Sequence, residues 1–352
     1  MVILVAEWLL FAKFAVQPLI FTALYSSLSL LLGGLAVPHR LSQPQNARRN
    51  GVSAPNSAGS SPVQATMKNV DFHLTDRIIV HIATLNGKLT PNQSAMPVFD
   101  NKQSFSLDVD SANITVSTTA LSNDLNDYVF AKPGAPLKKL TVTTQSNDLV
   151  LKGLLASKGV LFETEGTVAV TPEGFIRVHT TKVKAFHLPV KSLMDMLGID
   201  VAKLLNTDKV EGVTVDKDDL ILDPQRILPP PQMRGHLTSI DVENRGIALV
   251  FGSPKGQLEG STSSCGGRNF LSFKGGSVRF GKVTMSDADL ELIDVDPGDP
   301  FDFSIDHYKD QLVEGYTKMT RPGGLCVYMP DFNKLKQNTN SRQKVAESKR
   351  ER

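Results

Sequence analysis

The stretch from Leu140 to Leu205 limits the possible folds most, because its apolar spacing changes once from the period of a strand to that of a helix. Val160, Phe162, Val168 and Val170 share one parity with the small Thr164 and Gly166, whereas Glu163, Glu165, Thr167 and Thr171 share the other. Side chains alternate across a strand, so this segment has one dry face, broken only by Leu161. Thr171-Pro172-Glu173-Gly174 carries turn chemistry, with proline presetting φ and glycine free to take φ above zero, and Phe175 to Val178 resumes a strand. Leu140 and Val142, a Ser146-Asn147-Asp148 turn and Leu149 to Leu155 precede it as another hairpin. After Leu188-Pro189, the positions Val190, Leu193, Met194, Leu197, Val201, Leu204 and Leu205 follow helical spacing. Such a stripe needs an apolar surface to lie on, and the hairpin face is the nearest one.

The rest of the chain divides around that stretch. Residues 14–38 hold no charged side chain and are long enough to cross about 30 Å of hydrocarbon as a helix. Residues 1–40 therefore read as a membrane segment or signal. Gly34-Leu35-Ala36 offers a small-x-small cleavage site, but Glu7 and Lys13 make a poor basic n-region, so an uncleaved anchor fits better. Arg40, Arg48 and Arg49 follow the segment while Lys13 alone precedes it, which by the positive-inside rule would keep the following domain cytoplasmic. That conflicts with a domain on the periplasmic side of a cell envelope, the placement otherwise favoured. Met67-Lys68-Asn69 also resembles a natural start, and a chain begun there would lack the anchor and be cytoplasmic. Residues 41–66, rich in Ser, Asn, Pro and Gly, read as a disordered linker.

A main domain is expected over 67–252. Its first strands have Ile78, Val80 and Ile82 alternating with Ile79, His81 and Ala83, apolar on both faces, then Phe105, Leu107 and Val109 alternating with serines and aspartates. Ser117 or Thr118 caps a short helix with Leu121, Leu125, Tyr128 and Val129 as its stripe, stopped by Pro133-Gly134. Leu228-Pro229-Pro230-Pro231 must be extended and suits a corner. A flexible Gly/Ser loop at 253–267 leads to C-terminal strands and a helix at 268–332, the helix carrying Tyr308, Leu312, Tyr316 and Met319, and then to a charged, disordered tail at 333–352. The fold class is α+β: a strongly curved antiparallel sheet wrapped around one long and one short amphipathic helix, with a C-terminal β-rich extension.

Chemistry-bearing patterns are sparse. Lysine and arginine number 38 against 36 acidic residues, with no basic stripe interleaved with aromatics, so no nucleic-acid partner is expected. Cys265 and Cys326 lack metal-site spacing and would either pair in an exported chain or stay as reduced thiols. Asp287, Asp289 and Glu291 share one side of a strand, and Asp294, Asp296, Asp299 and Asp302 follow, without the spacing of a calcium loop; a solvated acidic face explains them. The scattered histidines form no H-x-x-x-H pair, and no G-x-S-x-G, phosphate loop or dinucleotide fingerprint occurs. No metal, cofactor or catalytic residue is expected.

The order of elements itself carries a resemblance: a strand ending Ile114-Thr115-Val116-Ser117, a short Leu-bearing helix, a hairpin with Leu151-Lys152-Gly153, a second with Pro172-Glu173-Gly174, then Leu188-Pro189 and an amphipathic helix. This resembles the LmeA-like phospholipid-binding envelope proteins, within the wider tubular lipid-binding (TULIP) group, over residues 103–222. The resemblance implies non-catalytic binding of phospholipid or another acyl-chain lipid in an apolar groove, for envelope lipid transport or maintenance. Groove-lining residues would be Phe162, Val168, Val170, Val190, Leu193, Met194, Leu197, Val201 and Leu204, with Leu121, Leu125 and Tyr128. Sheltering a fourteen-carbon chain is worth on the order of 11 kcal/mol at about 0.8 kcal/mol per methylene. The alternative is a β-rich structural or interaction protein whose same residues close on one another, and a third is a hydrolase built on the acidic C-terminal strand. The oligomeric state is open.

Overall fold

Alternating apolar and polar residues give strands along most of the chain, and a computed structural model describes residues 62–92, 94–156, 159–185, 211–216, 219–252 and 262–335. It is mostly β, 58% strand against 11% helix, and its larger sheet curls into a half-barrel. Strands β1 (Val63–His73), β2 (Ile79–Pro91) and β3 (Phe105–Ser117) form an antiparallel meander at its centre. Beyond β3 the sheet continues with β12 (Gly246–Gly252) and β11 (Leu237–Glu243). Beyond β1 it continues with β13 (Phe270–Phe280), β14 (Val283–Asp294), β17 (Leu325–Met329) and β16 (Tyr316–Met319). Two short strands pair in parallel at its margins, β10 (Gln232–Arg234) on β3 and β15 (Phe301–Ser304) on β1. The strands of 268–332, expected as an extension, thus complete the same sheet as residues 63–117 through the β1–β13 ladder.

The sheet forks at Asn69. Residues 64–68 of β1 pair with β13, whereas Val70 to His73 pair with β15. Asn69 stands between them at φ 51°, a conformation its short polar side chain tolerates, and its Nδ2 donates to Asn269 Oδ1 at 2.8 Å. Val63 and Ala65 lie four and two residues before Met67 in the same strand, both fully buried, so β1 starts inside the expected linker.

The concave interior of this sheet is filled. Phe105, Phe273, Phe301 and Phe303 are buried to within 2% with Leu74, Ile78, Ile82 and Leu85. A void of about 20 Å³, lined by apolar side chains that include Met67, Phe72, Phe99, Leu107 and Phe273, remains there. That is room for about one water, against roughly 150 Å³ for a cavity that admits benzene.

A second, six-stranded sheet runs β4 (Leu137–Gln145), β5 (Asp148–Leu155), β6 (Val160–Val170), β7 (Ile176–Ala185), β9 (Asp219–Leu222), β8 (Val213–Asp216), antiparallel throughout. The expected Thr171–Gly174 turn closes β6–β7, with Gly174 N donating to Thr171 O at 2.9 Å and Gly174 at φ 85°.

The described helices are short: α1 (Thr118–Asp124), which runs into a π turn at Leu125–Val129, α2 (Pro224–Ile227) and α3 (Tyr308–Val313). The long amphipathic helix expected from Val190 to Leu205 lies outside the described residues, as do the membrane segment at 14–38, most of the loop at 253–267 and most of the C-terminal tail. No described helix is long and apolar enough to cross a membrane.

Several expectations need correction. Ile79 and His81 are half-buried and Ala83 is exposed, so only one face of β2 is dry. The strand expected from Ser277 to Met285 is the tip of the β13–β14 hairpin, because Gly281 at φ 58° turns the chain. The C-terminal helix stops before Tyr316: a Cβ on Gly315 would collide with the Tyr328 carbonyl, and the chain passes close to β17 there and pairs with it as β16. Tyr316 and Met319 consequently sit exposed on a strand. The acidic strand is not a solvated face throughout. Asp287 adopts φ 53°, which breaks the alternation, and Glu291 is buried, accepting from Ser264 N and Oγ at 2.9 Å and from Ser263 Oγ. Of the two open alternatives for the cysteines, pairing is the one found: Cys265 and Cys326 are joined by a disulfide that ties the segment before β13 to β17.

Candidate lipid-facing wall

One face of the smaller sheet is largely apolar, interrupted by Thr144, Thr164 and Thr180. Its register sets Val142 opposite Leu151, Leu151 opposite Thr164 and Thr164 opposite Val183, and further along sets Val168 opposite Val178 and Val178 opposite Leu220. Directly opposed residues share a face, so these rows form a single surface. An extra residue at Thr181 keeps β7 in step: it lets Ile176 and Val178 on one side of the bulge and Val183 on the other face the same way. The reverse face carries charge. Lys152 and Lys184 approach Glu163 at 3.0 and 2.8 Å, Lys182 approaches Glu165 at 2.5 Å, and these ammonium groups hold both carboxyls below the usual range.

Two separate sets of side chains cover the apolar face. Ile176, Leu149, Val168, Val170, Val178 and Leu222 join the core of the larger sheet. At the other end Leu140, Leu155 and Phe162 form a small cluster with Leu125, Phe130, Leu137 and Leu151. Val142, Val183 and Leu220 belong to neither set among the described residues; Val142 is buried, whereas Val183 and Leu220 are half-buried.

Helix α1 bridges the two covers. Ser117 caps it, its Oγ accepting from Ala120 N at 3.1 Å. Ser122 and Asn126 fasten it to edge strand β4. Val142 N donates to Ser122 Oγ at 2.8 Å, and the Asn126 amide both accepts from Leu140 N at 2.9 Å and donates to Leu140 O at 2.7 Å, standing in for a neighbouring strand. The π turn then closes with Phe130 N donating to Leu125 O at 2.9 Å, and its extra residue breaks the stripe expected along the helix. Leu121 reaches the large core, Leu125 reaches the small cluster, and Tyr128 is left 39% exposed.

Of the twelve residues expected to line a groove, the structure describes six. Phe162 and Leu125 fall in the small cluster, Val168, Val170 and Leu121 at the large core, and Tyr128 at the surface. Val190, Leu193, Met194, Leu197, Val201 and Leu204 lie outside the described residues.

The pattern reading passed over Asp124. It is 5% exposed, one helical turn after the core residue Ala120 and directly before Leu125, and its Oδ1 is buried without a hydrogen-bond partner. Burial, reinforced by Asp127, pushes its carboxyl up to about 7. An acid spaced four residues from an inward-facing alanine was the available signal.

Other polar groups gather at the β1–β15 fork. His73 Nε2 faces Asp302 Oδ1 beneath the edge of Phe332, with Ser304 Oγ buried nearby on β15. Carboxylate oxygens of Asp294, Asp299 and Asp331 lie within 4.8 Å of one another, and Lys334 meets Asp296 at 2.7 Å and Asp331 at 2.8 Å. Burial raises Asp294 to about 6. The lysine supplies the positive charge this cluster needs.

No family model matches the chain, and searches of curated proteins and of solved structures return no match.

Proposed function

We propose that the protein is a non-catalytic binder of phospholipid or another acyl-chain lipid, with the apolar face of the smaller sheet as the wall against which the hydrocarbon lies. The observation that supports it best is the division of that face between two covers, with the half-buried Val183 and Leu220 in neither among the described residues. An apolar strip of this kind gains about 25 cal/mol per Å² when hydrocarbon shields it from water. The void of about 20 Å³ inside the larger sheet has no room for a methylene chain, which favours the smaller sheet. The sequence resemblance to TULIP proteins points the same way, as does the amphipathic spacing of the stretch that follows β7. The disulfide suits a domain in an oxidising compartment such as the outer side of a cell envelope, tethered through residues 14–38.

The test is native mass spectrometry and solvent extraction of the full-length chain purified in detergent. About one phospholipid per chain is expected, lost on Val183→Asp with the fold retained. A wild-type chain that carries no lipid, and takes none from phosphatidylcholine vesicles, would sink the reading. The second reading, a filled-core interaction protein, is favoured by the solid packing of the larger sheet, and it would stand in that event.

A further inference from the structure

A carboxyl buried among apolar residues with a free oxygen is costly, because it has given up water without gaining a partner. Asp124 is in this position: 5% exposed, Oδ1 unpartnered, and placed on α1 between Leu121, which packs into one cover of the apolar wall, and Leu125, which packs into the other. It therefore stands on the helix turn that joins the two covers. The helix changes to a π turn directly after it, a distortion that recurs at functional positions.

The charge around it selects the ligand. Asp127 lies one turn on, and Glu211 is near enough for its charge to act on Tyr128 together with that of Asp124. Arg77 answers Asp127 at 3.1 Å and also donates to Asn123 Oδ1 at 2.8 Å, which leaves Asp124 without a cation among the described residues. An acidic corner repels a lone phosphate or fatty-acid carboxylate. It accepts a group that brings both positive charge and N–H donors.

We infer that Asp124 anchors the polar end of the bound lipid and takes the primary ammonium of an aminophospholipid. This rests on the lipid-binding reading and adds its headgroup. An ammonium offers three donors to the free carboxylate oxygen and removes the repulsion with Asp127, whereas a quaternary choline headgroup offers none. The exposed guanidinium of Arg77, held at the same corner, suits the phosphate next to that ammonium.

The experiment is a competition on the full-length chain in detergent, read by native mass spectrometry, with dioleoyl lipids whose headgroups run from ethanolamine through N-methyl and N,N-dimethyl to choline. Occupancy should fall stepwise along the series, by about tenfold or more overall, the scale of a hydrogen bond to a charged group. Asp124→Asn should erase the preference. Equal occupancy by all four lipids overturns the headgroup assignment while leaving lipid binding in place, and a chain that binds none of them removes both. Should Asp124→Asn fail to fold, the wild-type series alone decides.

Discussion

Phe273 in the larger sheet meets Phe99 edge-on at a centroid distance of 5.2 Å and lies 5.8 Å from Phe280, within a core that runs unbroken from β11 to β17. Phe162 in the smaller sheet has, among the described residues, only Leu140 and Leu155 as buried companions in its cluster. Phe162 sits on a strand read as dry on one face, whereas Phe273 ends the Phe270–Phe273 run of β13, where all four residues are buried. The larger sheet curls into a half-barrel, and its aromatic core leaves a void of about 20 Å³ there. The smaller sheet presents its apolar face outward to other elements and depends on them for cover. A sheet that closes on itself gains stability, and one that relies on borrowed cover keeps surface available to a ligand.

The largest expected effect is in the aromatic cores. Phe273→Ala should cost about 3–5 kcal/mol in denaturant unfolding, and Phe162→Ala about 2 kcal/mol, because a loosely covered site collapses more easily round the deletion. Equal costs would break the contrast between the sheets.

Next is the disulfide, which clamps the far end of the larger sheet across 61 residues. Replacing Cys265 and Cys326 by alanine should lower stability by about 2–4 kcal/mol, measured by thermal unfolding, while leaving lipid occupancy unchanged.

Asp124 gives a smaller, pH-dependent effect. Its folded value of about 7 lies above the unfolded value of about 3.9, so the native state holds the proton between them. Its stabilising contribution is full below about pH 4 and is lost as pH rises through 7. Asp124→Asn should therefore be more stable than wild type at pH 8 by a few kcal/mol and lose that advantage near pH 4. Parallel stability curves for the two proteins would show that the carboxyl is not buried as described.

The smallest effect sharpens the comparison most. Thr164→Ile replaces the hydroxyl by an ethyl group in the row between Leu151 and Val183, and its stability should stay within about 0.5 kcal/mol of wild type. A loss of 1–3 kcal/mol, the usual penalty for overfilling, would mean that the strip is as tightly closed as the larger core.

Local chemistry made much of this legible. The Thr171–Gly174 turn, the Ser117 cap and the one-sided alternation of β6 follow from residue type and spacing, and the structure has them where those rules put them. Features that fail to read from sequence involve distant partners. Gly315 ends a helix because the Tyr328 carbonyl lies against it, Glu291 is buried because Ser263 and Ser264 fold over it, and the π turn splits a regular stripe between two clusters.

The sequence by itself determined that the described residues are mostly strand, where the Thr171–Gly174 turn and the Ser117 cap fall, and that two cysteines are present. Only the tertiary structure decided that residues 270–329 complete the sheet begun at Val63, that Asp124 is buried without a partner, and which apolar face is filled and which is merely covered. The reason is physical. Alternation and turn propensity act over a few residues and are written locally, whereas closure of a curved sheet depends on contacts between strands more than two hundred residues apart, whose approach no local pattern encodes.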